Sequence, residues 1–145
     1  MDENSQTGFS AEERRAIAER AAELRNQGRG KDRLAKGLLA VVERIGEMAP
    51  EDRALAEHFH RLVGRVAPQL APKTWYGMPA YADEQGHVVV FFQDATKFAT
   101  RYCTVGFQQA ARLDEGPMWP VAFALVEWTP QVEETLGRLV TGAVS

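Results

Sequence analysis

Cysteine is almost missing from this sequence: the lone Cys103 excludes an internal disulfide and any zinc site built on several thiolates. Long apolar runs are missing as well. The best candidate, Val88 to Phe92, falls far short of the roughly 20 residues that a membrane-spanning helix requires, so no membrane role is expected. Met1 to Phe9 carries neither the basic nor the apolar region of a signal peptide, which points to the reducing cytoplasm. Neither sign of charge dominates. The 17 Lys and Arg against 20 Asp and Glu leave a net charge of -3, so no global positive field exists to hold nucleic acid or an anionic membrane. Familiar signatures are absent too: there is no G-x-S-x-G, no Walker loop, no H-E-x-x-H and no G-x-G-x-x-G after a strand. The expectation is a protein that is not an enzyme.

What is present reads as one folded domain. The 145 residues are 45% hydrophobic and 26% charged, which suits a globular chain and is too short for two ordinary cores. Residues 1–9 are polar and unpatterned and are expected to be flexible; residues 10–145 form the domain. Eleven of the thirteen aromatics lie between Trp75 and Trp128, so helices should come first and strands second. Ser10 and Glu13 make a capping box before Ile17, Ala21 and Leu24, and Gly28 and Gly30 end that helix. Its apolar stripe is thin, which suggests a loose fit on the domain or a contact outside it. Asp32 can cap a second helix with Leu34, Leu38, Val41, Val42, Ile45 and Met48 on one face; Pro50 opens a third carrying Leu55, Phe59, Leu62 and Val66. Charges up to Pro72 balance at twelve of each sign, with Glu57 and Arg61 at i, i+4, the pattern of a solvated helix surface.

From Lys73 the period becomes strand-like. Strands are expected at Thr74 to Tyr76, Pro79 to Ala82, Val88 to Gln93, Lys97 to Phe107 and Val121 to Glu127, with a hairpin turn at Asp83 to Gly86. Thr129 and Pro130 open a last helix bearing Val132, Leu136, Leu139, Val140 and Ala143. The fold class is therefore α+β: an antiparallel sheet of about five strands packed against N-terminal helices and a C-terminal helix.

Candidate chemistry concentrates in the second half. Trp75, Tyr76, Met78 and Tyr81 surround Gly77, which permits a tight turn, and Pro79, which restricts the backbone, and alternation along Lys97 to Phe107 puts Lys97 and Arg101 on one strand face. With Tyr102 and Trp119 these residues suit the wall of a pocket for a small anionic or aromatic ligand. Cys103, in mid-strand, reads as a packed and inert thiol. Glu57 and His60 stand at the i, i+3 spacing of two-metal carboxylate proteins, yet Arg61 and Arg53 beside Glu57 favour a solvated ion pair. Asp83 with Glu84, and Asp114 with Glu115, offer oxygen ligands in turns.

Four stretches carry a family resemblance: KTWYGMPAYA at Lys73 to Ala82, VVVFFQ at Val88 to Gln93, KFATRYCTVGF at Lys97 to Phe107 and LDEGPMWPVAFAL at Leu113 to Leu125. With them the run from Arg53 to Ser145 resembles the YdhG-like family, a domain-of-unknown-function group of small bacterial proteins, some described as frataxin-like iron chaperones. The resemblance implies an α+β YdhG-like domain and, as an alternative function, iron held weakly at surface acids such as Asp114 and Glu115. Three expectations follow in order: a non-enzymatic small-ligand-binding module, an iron chaperone or iron-handling accessory protein, and a protein-interaction module whose contact is the thinly apolar first helix.

Overall fold

The computed structural model describes residues 8–25 and 28–145. Helices α1 (Ala11–Arg25), α2 (Arg29–Gly46) and α3 (Pro50–Val66) precede β1 (Ala71–Trp75), β2 (Met78–Ala82) and β3 (Val88–Gln93). A short helix α4 (Ala95–Phe98), strands β4 (Cys103–Phe107) and β5 (Ala122–Leu125) and the final helix α5 (Pro130–Ala143) complete the chain. The strands form one antiparallel sheet in sequence order, β1-β2-β3-β4-β5, and the fold is α+β. No helix among the described residues is long and apolar enough to cross a membrane.

Strand register sorts the side chains. Tyr81 pairs with Val90 and Val90 with Phe107, while Phe92 pairs with Val105, so these residues share one face of the sheet. That face packs on α3 through Phe59, whose ring lies 5.9 Å from Tyr81 and 6.3 Å from Phe92, and the core continues into Val41, Ile45, Leu136 and Val140. The other face carries Trp75, Met78, Ala80 and Phe91. Local signals fix the helix starts. Ser10 Oγ accepts from the Glu13 N–H and Glu13 Oε1 accepts from the Ser10 N–H, each at 3.1 Å, closing the capping box; Thr129 Oγ1 accepts from the Val132 N–H and caps α5.

Several sequence expectations are corrected. The long strand from Lys97 to Phe107 does not form: residues 95–98 turn into α4, Ala99 adopts a left-handed φ of 56°, and only Cys103–Phe107 joins the sheet. The cause is tertiary, because Asp52 Oδ2 accepts from the Thr96 N–H at 2.9 Å and Thr100 N–H donates to Ala95 O, bonds that an extended chain would lose. β1 begins at Ala71 and ends at Trp75, leaving Tyr76 in the turn. α2 starts before Asp32, at Arg29 with Gly28 as N-cap, so Gly30 lies inside that helix; Asp32 pairs with Lys36 at 3.4 Å instead of capping. α1 is not left over: Ala21 and Leu24 bury against Ala35, and Ile17 packs on the main core. Residues 26 and 27, just before its expected end at Gly28, lie outside the described residues, as do residues 1–7 of the segment expected to be flexible. Phe9, at the end of that segment, is buried in the core.

A buried polar knot ties the layers together. Arg44 of α2 donates from Nη2 to both oxygens of Asp94, each at 2.9 Å, and from Nε to Gly77 O at 2.8 Å. Asp94 is only 1% exposed. One guanidinium therefore fixes the β1–β2 turn and the β3–α4 junction against α2. Beside it, Asp52 of α3 holds the Thr96 N–H with one oxygen and accepts from Cys103 Sγ at 3.4 Å with the other. Removing one member of such a pair strands a buried charge. Asp94→Ala is thus expected to cost about 3–5 kcal/mol in denaturant unfolding, while Arg44→Met with Asp94→Leu recovers most of that loss. Losses that simply add in the double variant would show the two residues to be independent.

Candidate functional site

The β1–β2 turn, the end of β3, α4 and the start of β4 lie at one end of the sheet, since Trp75 pairs with Met78 and Gln93 with Thr104. Tyr76 (φ 51°) and Gly77 (φ 77°) are both left-handed, the geometry of a tight two-residue hairpin that favours Asn-Gly or Gly-Gly. A tyrosine there costs of the order of 1 kcal/mol. Tyr76 is nonetheless 79% exposed, its ring 5.0 Å from Trp75, which in turn lies 5.3 Å from Phe91. The Lys97 Nζ sits over Gly77, where a Cβ would come within 2.7 Å of it, and 5.6 Å from the centre of the Phe98 ring. Arg101 and Tyr102, both exposed, stack on each other at 5.4 Å in the loop that follows. Six of the eight expected ligand residues, Trp75, Tyr76, Met78, Lys97, Arg101 and Tyr102, thus come to this end of the sheet.

The other two do not, and none of the six lines the cleft between the helices and the sheet. Tyr81 lies on the core face, wholly buried, and Trp119 sits half-buried in the β4–β5 connection at the opposite end. The expectation of a strand face presenting Lys97 and Arg101 fails with the strand itself. What gathers is an aromatic and cationic corner on the surface.

The concave site lies elsewhere. A cleft of about 1430 Å³ opens between α1, α2, the end of α3, strands β1 and β2 and the β2–β3 turn, lined among others by His60 and Tyr81. Five basic side chains line it, Arg20, Lys31, Arg33, Lys36 and Lys73, against the acids Asp83 and Glu84. Arg20 is paired with Glu23 and Lys36 with Asp32, whereas Lys31, Arg33 and Lys73 form no ion pair among the described residues. His60 Nδ1 lies 2.8 Å from the Tyr81 hydroxyl. Burial, helped by the nearby Arg61 charge, brings the His60 imidazole down to about 4, and burial pushes the Tyr81 phenol well above its ordinary value. Both are neutral near pH 7, and in the tautomer protonated on Nε2 the imidazole accepts the phenol hydrogen bond at Nδ1.

Glu57 departs from the solvated ion pair that its sequence neighbours favour. It is buried, and burial raises its carboxyl above the usual range, because Arg61 turns instead to Glu13, with Nε–Oε2 at 2.6 Å and Nη2–Oε1 at 3.1 Å. His58 stacks on Trp128 at 5.2 Å. Among the described residues no three of His, Cys, Asp and Glu group closely enough to hold a metal ion, and Asp114 and Glu115 are exposed neighbours on the β4–β5 connection. Cys103 is buried and its thiol is pushed up to about 12, chiefly by burial and also by the Asp52 carboxylate. The chain matches no family model, no curated protein and no solved structure.

The His60–Tyr81 pair sets a pH dependence. With the folded imidazole near 4 and the unfolded one near 6.5, the unfolded chain binds the extra proton between these values, so this contribution is complete above pH 6.5 and lost as pH falls toward 4. It amounts to roughly 3 kcal/mol. Glu57, with its raised value, acts in the opposite sense, losing stability as pH rises through its folded titration. Denaturant unfolding of His60→Gln should show a flatter slope over that window, and Glu57→Gln a steeper one; unchanged slopes would contradict the burial of both groups.

Proposed function

We propose that the chain is a non-enzymatic small-ligand-binding module, of the YdhG-like family that its strand motifs resemble, and that it takes a small organic anion in the cleft between the helices and the β1–β2 hairpin. The observation carrying this reading is the charge of that cleft. Three cations without ion-pair partners among the described residues, Lys31, Arg33 and Lys73, face two acids across a concave surface, and a local field of this kind acts even within an acidic protein. His60, half-buried and neutral, supplies a hydrogen-bonding ring among these charges, held in place by the Tyr81 hydroxyl. Burial pushes the Cys103 thiol up to about 12, so Cys103 is a poor nucleophile, and a lone free thiol suits a cytoplasmic protein.

Titration calorimetry with a panel of small carboxylates and phosphates tests the reading. Arg33→Ala with Lys73→Ala is expected to weaken binding at least about tenfold, the loss of one or two charge-assisted hydrogen bonds, while Arg101→Ala leaves it unchanged. The opposite pattern would move the site to the aromatic corner. Failure of every anion to bind would overturn the reading.

A protein contact at the corner is the second reading, favoured by the exposed Tyr76 held in a left-handed turn beside Trp75 and Lys97. Iron handling has only the adjacent Asp114 and Glu115 behind it and ranks below both. If the tyrosine is kept for contact, Tyr76→Asn should leave thermal stability unchanged or raise it by up to about 1 kcal/mol, because Asn tolerates this backbone. A clear loss of stability would mark Tyr76 as structural.

A further inference from the structure

The two edges of the sheet are built differently. At the β1 edge Pro72 removes one donor, and α2 approaches so closely that a Cβ on Gly37 would strike the Pro72 carbonyl oxygen. The β5 edge has neither device. Phe107 N–H donates to Val121 O at 2.7 Å, and the register continues with Val105 opposite Phe123 and Cys103 opposite Leu125. Val121, Phe123 and Leu125 therefore spend their backbone groups on β4, and the alternation of an antiparallel pair turns the N–H and C=O of Ala122 and Ala124 outward. From Val121 to Val126 the strand contains no charge, no proline and no glycine. Three of the six exposed large hydrophobics among the described residues lie on or beside it: Met118 (85% exposed), Val121 (46%) and Val126 (75%).

We propose that β5 is a self-association edge, on which a second copy of this chain lays its own β5 antiparallel about a two-fold axis, joining two five-stranded sheets into one. The register follows from the free groups. Ala122 pairs with Ala124 of the second copy and Ala124 with Ala122 of the second copy, each pair exchanging both hydrogen bonds, with Phe123 on the axis. Charge selects this occupant. A strand without charge offers nothing to an acidic or basic peptide, whereas its two-fold pairing brings no like charges together.

Sedimentation equilibrium over about 1–500 µM, with native mass spectrometry, tests this on the full chain. A species of twice 16.1 kDa is expected, with slow exchange of the Ala122 and Ala124 amides that strengthens as concentration rises. Ala124→Pro removes an outward N–H without touching a bond to β4, and Ala124→Lys puts a charge on the edge; each should weaken dimerisation at least about tenfold while circular dichroism stays unchanged. Should the proline variant fail to fold, the lysine variant carries the test. A chain that is monomeric throughout this range, or a dimer that withstands Ala124→Lys, would overturn the proposal.

Discussion

The Arg44–Asp94 pair is the constraint on which the arrangement of this molecule rests. A guanidinium and a carboxylate taken out of water lose several kcal/mol of hydration each, and their attraction returns that only when the remaining donors are also used. Here Arg44 uses them: one nitrogen serves both Asp94 oxygens and another the carbonyl of Gly77. The pair therefore acts less as a source of net stability than as a selector of geometry. It couples a helix, a hairpin turn and the end of a strand separated by as many as 50 residues in sequence. Once that turn and junction are set, α4 has one place to go, and Asp52 holds it there through the Thr96 N–H.

This dependence explains what could be read from the sequence and what could not. The capping box of Ser10 and Glu13, the Thr129 cap and the alternation of β2 and β3 are local signals, and the chain follows them because no distant contact opposes them. The alternating stretch from Lys97 to Tyr102 is equally strand-like, yet the deciding partner, Asp52, lies 44 residues upstream of Thr96 and leaves no mark in the pattern. The candidate site was legible in part for the same reason. Trp75, Tyr76 and Met78 meet because β1 and β2 are joined by a two-residue turn, which the Gly77 signal announced, whereas Lys97 reaches them on α4 through contacts that the sequence does not show. Tyr81, expected on the same wall, lies on the opposite face from Met78, as strand alternation alone requires.

The cleft was invisible for a different reason. Along the first half of the chain the charges balance, and balanced charges on helices look like a solvated surface. Packing breaks the balance in space: Glu13 crosses to Arg61, Glu57 is drawn into the interior, and Arg33 and Lys73 are left lining the same hollow. Sequence counts charges, whereas the fold decides which of them face each other. The cleft, the aromatic corner and the β5 edge occupy separate parts of the molecule, so a ligand, a contact and a second copy would not compete for the same residues.

The central claim is that this hollow holds a small organic anion. Native mass spectrometry of the full chain, purified without denaturation from the organism that makes it, tests that claim most directly. The account expects an added mass of a few hundred daltons or less, in the range of pocket-sized ligands, lost on unfolding and diminished in Arg33→Ala with Lys73→Ala. A bare chain, or an increment equal to iron that disappears with Asp114→Ala and Glu115→Ala, would contradict it.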